Sequence, residues 1–202
     1  YSPNQAFSED AHADVTIIGG GFTGLNTAWQ FKKDNPSARV IVLESHVVGY
    51  GASGRNGGFN MKLFGLEPEM TILRWGKQRF IESQHFMHKA VNHLKGMVED
   101  HQLQSDYRHT GMFRVAYSEM QLKRVEKTYN LFQKNGIDGD MSWHSQDDLR
   151  SEFNTERFLG GMYESNTGIL NPCKQVREVK RLALEAGVEI YEMSPVDNID
   201  RS

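Results

Sequence analysis

The sequence has little cysteine, almost no net charge and no long apolar run. Its single cysteine, Cys173, excludes an internal disulfide and fits a reducing, cytoplasmic setting. Lys+Arg number 23 against 26 Asp+Glu, a net charge of −3, so nothing marks nucleic acid or an anionic membrane surface as partner. The longest uncharged run, Val15 to Phe31, carries four glycines and five polar side chains, which excludes a membrane span. Residues 1–13 are polar, with neither the basic nor the apolar segment of a secretory leader. Hydrophobic residues still make up 38% of the 202, too many for an intrinsically disordered chain. A chain of this length buries roughly 70% of its unfolded surface, enough for one large domain or two small ones.

What is abundant is glycine, and it is unevenly spread. Ten of the 19 glycines lie between Gly19 and Gly65. Residues 15–18 are β-branched and border glycines, the pattern of a buried strand. The run from Gly19 to Gly24 turns into a helix of about 13 residues with Leu25, Ala28 and Trp29 on its inner face. Asn35-Pro36 ends it, because proline disfavours helical geometry in the residue before it. Residues 39–43 form a second buried strand, closed by Glu44. Strand, helix and strand at this spacing predict a right-handed parallel βαβ unit.

Residues 49–58 read as a glycine-rich loop. A long amphipathic helix is expected over roughly 67–100, with Phe80, Met87, Val91, Leu94 and Val98 at three-to-four spacing. Residues 111–118 read as a strand, and 119–135 as a helix with Leu122, Val125, Tyr129 and Phe132 inward, ended by Gly136. Ser145 three residues before Asp148 signals another helix start. A strand is expected at 158–163. Asn171-Pro172 opens a helix that stops at Gly187, and 188–192 is again a strand. An α/β sheet normally continues past such a strand, so the domain is expected to be incomplete at Ser202.

Two segments carry chemistry. In Gly19-x-Gly21-x-x-Gly24, the first glycine makes a tight turn, the second lets a pyrophosphate approach the backbone, and the third allows close helix–strand packing. The N–H groups and dipole at the helix start favour the phosphate charge. Glu44 stands twenty residues after the third glycine, where it can accept hydrogen bonds from an adenosine ribose and would repel a 2′-phosphate. The second segment, 49–58, interleaves Ser53, Arg55 and Asn56 with five glycines. Ser53 and Arg55 suit phosphate, and Asn56, Gly57 and Gly58 suit a flat ring close to the backbone.

The runs Val15 to Leu25, Leu43-Glu44 and Val48 to Gly58 resemble the FAD-dependent D-amino-acid-oxidase/glycine-oxidase superfamily, and within it the γ-glutamylputrescine oxidoreductase group. The likeness extends to Gly160–Tyr163, Gly168–Pro172 and Gly187–Val196. It implies an α/β fold: a Rossmann-type FAD-binding domain, discontinuous over 13–104 and 167–202, with residues 105–166 beginning an α+β substrate domain. It implies FAD as cofactor, held by Gly19, Gly21, Phe22, Thr23, Gly24, Glu44, Ser45, Ala52, Ser53, Arg55, Asn56, Gly57, Gly58 and the backbone of Val196. It also implies oxidation of a C–N bond in a small amine or amino acid. Hydride passes to the flavin, the imine hydrolyses, and oxygen or another acceptor takes the electrons. Members of this family are considerably longer, so most substrate-binding residues are expected outside these 202, and no catalytic side chain is carried over.

Other candidates are read as ordinary structure. His85, His88 and His93 do not share one clean helix face, so a solvated helix is expected rather than a metal site. Cys173 at a helix start is expected to be an idle thiol. Arg74, Trp75, Lys77 and Arg79 read as helix surface, and Tyr107, Tyr117 and Trp143 as core aromatics. Two other functions stay open on the residues alone. One is an NAD-dependent dehydrogenase, which shares the first motif but leaves 49–58 without a role. The other is a non-catalytic dinucleotide-binding module.

Overall fold

A computed structural model describes residues 1–8 and 10–200. Contacts divide the chain into two compact units. The first comprises Tyr1–Gly58, Leu103–Asp106 and Leu170 onward, and the second comprises Phe59–Gln102 and Tyr107–Ile169. The expected division at 104/105 and 166/167 therefore differs from the packing: the long helical segment groups with 107–169.

The first unit is built on a parallel three-stranded sheet in the order β1 (Val15–Ile18), β2 (Val40–Leu43), then the strand Glu189–Tyr191. Helix α1 (Phe22–Asp34) makes the β1–β2 crossover and buries Leu25, Ala28 and Trp29, the predicted face. This is the Rossmann-type arrangement. β2 is buried along Val40, Ile41 and Val42, as its unbroken apolar run requires. β1 is not: it lies at the edge of the three described strands, its burial alternates, and Ile18 is 54% exposed. An apolar run reports what a strand can bury, not whether a neighbour is there to bury it.

The expected loop 49–58 contains a single helical turn, α2 (Ala52–Arg55), and β3 (Phe59–Asn60) follows it. In the second unit, α3 (Pro68–Asp100) is interrupted at Gly76, whose φ of 86° and ψ of 165° leave the helix. Glycine tolerates that conformation, and periodicity alone does not register a one-residue break. Strands β4 (Met112–Ala116) and β5 (Met141–Ser145) flank β6 (Gly160–Glu164) in an antiparallel sheet. The sequence reading missed β5, whose Met-Ser-Trp-His-Ser run is only half-buried, and it started β6 two residues early. Helix α4 (Glu119–Lys134) covers this sheet, with Val125 packed on Ala116 and Met162. Helix α5 (Gln146–Phe153) begins with the expected Ser145–Asp148 capping box. A short β7 (Gly168–Ile169) pairs with β3.

The chain then returns to the first unit through α6 (Pro172–Glu185). Asn171 caps it by accepting the Lys174 N–H, and Gly187 ends it at a φ of 91°. α6 packs against α1 and α2 and leads into β8 (Glu189–Tyr191). No helix among the described residues is long and apolar enough to cross a membrane.

Candidate functional site

The glycine turn of the first unit is formed by backbone contacts that leave no room for side chains. Gly19 takes a φ of 104°, and its N–H donates to the Leu43 carbonyl at 2.8 Å, tying the turn to the end of β2. A Cβ on Gly24 would stand 2.1 Å from the Gly19 carbonyl oxygen, so only glycine lets the first turn of α1 sit this close. Gly21 is the N-cap and brings no capping side chain. The Phe22 N–H is taken by Ser53 Oγ at 2.9 Å. The neighbouring first-turn amides of Thr23 and Gly24, which have no acceptor within the helix, form the positive end of the dipole and suit an anion.

Glu44 is placed by the end of β2. Its N–H donates to the Tyr191 carbonyl at 2.9 Å, and its own carbonyl accepts the Ser194 N–H at 2.8 Å. Its carboxylate accepts the Gly20 N–H at 2.7 Å and the His46 N–H at 2.9 Å, with Ser45 Oγ at 3.3 Å. A carboxylate offers about four lone-pair sites, so it can still accept a ribose hydroxyl. The acid and the glycine turn are thus one bonded assembly.

The second glycine segment is less open than its composition suggests. Asn56 does not stand free. Its amide donates to the carbonyls of Ala52 and Ser53 at 3.1 and 3.0 Å, and its Oδ1 accepts the Gly58 N–H at 2.8 Å. These bonds shape the turn. Ser53 caps α1 through its oxygen, which keeps its O–H available as a donor. Arg55 lies over the Tyr50 ring at 4.3 Å, and Tyr50 stacks on His46 at 4.3 Å. Gly58 has a φ of 72°, and a Cβ there would meet the Leu170 carbonyl at 2.0 Å. Ala52 and Gly57 are exposed, and Val196 is half-buried just beyond the Ser194 bond to Glu44. All fourteen expected cofactor residues, from Gly19 to Val196, lie in the first unit.

Sequence reasoning missed a buried ion pair that is bonded to Val48. Glu192 is fully buried and pairs with Lys180 at 2.6 Å. Its carboxylate also accepts the N–H groups of Val48 and Asn4. Glu192 ends the expected strand 188–192, and no local signal reveals its partners.

The weaker candidates are spread out. His85, His88 and His93 are exposed on α3, and among the described residues no group of three or more acids, histidines or cysteines is arranged to hold a metal. Cys173 is exposed and donates to the Gly54 carbonyl at 3.1 Å. Arg74 lies 5.2 Å over Trp75 on the helix surface. Tyr117, expected in the core, is 68% exposed, whereas Trp143 packs on the β4–β6 cluster.

A family model described as DAO, FAD dependent oxidoreductase, matches residues 14–202. The chain belongs to this FAD-dependent family. It is 26% identical over its whole length to γ-glutamylputrescine oxidoreductase of Escherichia coli, covering 46% of that protein. To the probable oxidoreductase OrdL of Haemophilus influenzae it is 28% identical, over 92% of this chain and 42% of that one. Among solved structures, glycine oxidase of Geobacillus kaustophilus superposes with a TM-score of 0.75 at 18% identity, over 90% of this chain and 46% of the other. The chain therefore spans somewhat under half the length of the relatives it matches. The family's cofactor is FAD, and the site residues fit an extended dinucleotide. The turn at Gly19–Gly24 is a bare cradle that a Cβ on Gly21 would fill, 2.8 Å from Ser53 Oγ, and an acid stands at the end of β2.

Proposed function

We propose that the first unit holds FAD and that the whole protein oxidises a C–N bond of a small amine or amino acid, with γ-glutamylputrescine-like amines as the first candidates. One observation carries the cofactor reading: the Gly20 N–H is bonded to Glu44 at 2.7 Å, which joins a side-chain-free helix start to a ribose-binding acid. In this reading the pyrophosphate lies on the Thr23 and Gly24 amides and Ser53. The adenosine ribose meets Glu44 and Ser45, and the Val196 backbone meets the adenine. Arg55 and residues 56–58 run toward the flavin ring. When bound, FAD supplies the hydride acceptor, and oxygen or another carrier reoxidises it. The protein's part is to bind and orient. Support for the substrate class comes from the relatives' names, and the second unit is assigned as the start of the substrate domain.

The test is a titration of the purified chain with FAD, followed by flavin fluorescence, and separately with NAD, followed by calorimetry. FAD is expected to bind and NAD not. Glu44→Gln is expected to weaken FAD by about tenfold, the worth of one hydrogen bond to a charged group. Binding of NAD with no flavin affinity would overturn the reading. A panel of amines and amino acids given to the whole protein, with peroxide detection, then decides substrate and acceptor.

A further inference from the structure

The buried carboxylate of Glu192 is bonded to Val48, in the stretch that follows Glu44. Its Oε1 accepts the Val48 N–H at 2.6 Å. Its Oε2 accepts Lys180 Nζ at 2.6 Å and the Asn4 N–H at 2.5 Å. The Tyr1 hydroxyl donates to Oε1 and accepts from Lys180 Nζ at 2.9 Å. Both members are enclosed: Glu192 is 0% and Lys180 5% exposed. A carboxylate this deep keeps its charge only because four donors converge on it.

One of those donors belongs to the wall of the cradle. Val48 opens the 49–58 segment, and a Cβ on Gly20 would meet Val48 Cγ2 at 3.0 Å and Glu44 Cβ at 3.1 Å. The next residue, Gly49, donates its N–H to the Gly20 carbonyl at 3.1 Å. The exit of β8 clasps the same stretch from the other side. Met193 N–H donates to the His46 carbonyl at 2.7 Å, and Ser194 N–H to the Glu44 carbonyl at 2.8 Å. The stretch from Glu44 to Gly49 therefore touches Gly20 on one side and is bonded to the β8 exit on the other. Within it, the bond from the Val48 N–H ends on a buried charge.

We propose that Glu192, held by Lys180 and by the N-terminal residues Tyr1 and Asn4, is a positioning residue for the dinucleotide cradle. Through the Val48 amide it sets the distance between the 44–49 stretch and the Gly19–Gly21 turn, and so tunes cofactor affinity without touching the cofactor. This rests on the reading that the first unit holds FAD. A second consequence does not: the Val48 and Gly49 amides owe their protection to Glu192 whether or not FAD binds.

The experiment compares wild type, Glu192→Gln and Tyr1→Phe with Val179→Ala, a buried α6 change that removes no hydrogen bond to the carboxylate, as a stability control. Amide hydrogen exchange on the cofactor-free chain reads the packing, and FAD titration reads the affinity. In Glu192→Gln, exchange at Val48 and Gly49 is expected to rise by about tenfold or more, with the β4–β6 amides unchanged, and FAD to weaken by about tenfold. Tyr1→Phe removes one of four donors and is expected to give a shift of about two- to threefold in the same direction. Should Glu192→Gln fail to fold, the Tyr1→Phe result decides. Unchanged exchange at Val48 and Gly49 overturns the proposal. So does an equal loss of FAD affinity in Val179→Ala, because the effect would then be general destabilisation. If the wild type binds no FAD, the cofactor reading falls, while the exchange measurement still decides the role of Glu192 in the packing.

Discussion

Each unit of this protein buries a glutamate against a lysine, and the two carboxylates behave in opposite ways. In the first unit, Glu192 receives Lys180, Val48 N–H, Asn4 N–H and Tyr1 O–H. In the second, Glu164 is 5% exposed and must share Lys62 with Asp140. Lys62 Nζ sits 2.6 Å from both Asp140 oxygens and 3.3 Å from Glu164 Oε1, which makes no well-directed hydrogen bond at all. Burial is the largest single influence on both acids, and it pushes both upward. For Glu192 the bonds from Lys180, Tyr1, Val48 and Asn4 outweigh burial and hold the carboxyl below its ordinary value. For Glu164 the attraction of Lys62 does not suffice, the Asp140 charge adds to the burial, and the carboxyl is raised. Depth alone does not set a buried acid's charge. The number of donors it does not have to share does.

The largest effect that would sharpen this contrast is expected from Lys180→Met, which strands a fully buried carboxylate. It should cost the first unit about 3–5 kcal/mol, read as a drop in denaturation midpoint. If the loss stays under about 1 kcal/mol, the surrounding N–H donors hold Glu192 by themselves and the contrast with Glu164 weakens. Next, Gly49→Ala forces a Cβ to within 2.3 Å of Val176 Cγ1 at a φ of 77°. It should cost about 1–3 kcal/mol by overpacking and weaken FAD in parallel, because it moves the same stretch that Glu192 holds. Glu164→Gln is expected to be nearly neutral at pH 7, within about 1 kcal/mol, since the acid it replaces is poorly supported as a charge.

The pH dependence should split by unit. A depressed carboxyl such as Glu192 contributes stability above its ordinary value of 4.5, and this is lost as pH falls through the folded pKa. A raised carboxyl such as Glu164 contributes below 4.5, and its contribution is lost as pH rises through the folded pKa. Acidification from roughly pH 5 to 3 should therefore lower the protection factors of the amides around Val48, with the intrinsic slowing of exchange in acid divided out, in the wild type but not in Glu192→Gln. The smallest effect belongs to an exposed pair. Arg39–Glu189 at 2.7 Å, with side chains 42% and 36% exposed, should lose about 0.5 kcal/mol or less in Arg39→Ala, falling further with added salt.

Much of the first unit was readable from residues alone, because its signals are local. A β-branched run before Gly19, a three-to-four apolar spacing to Trp29, Pro36 and the buried run to Leu43 each act within a few residues. Together they specify strand, turn, helix and strand. Ser145 with Asp148, and Asn171 with Pro172, marked helix starts for the same reason. What the sequence could not determine depends on residues far apart in the chain. Only the tertiary structure joins Glu192 to Val48, Asn4 and Tyr1, which are 144 to 191 positions away. It alone bonds Asn56 back onto its own loop, leaves Ile18 exposed at the edge of the three described strands and groups the long α3 with residues 107–169. Glycine spacing states which backbone can approach a phosphate. Which buried charge holds that backbone in place is decided by donors far apart in the sequence.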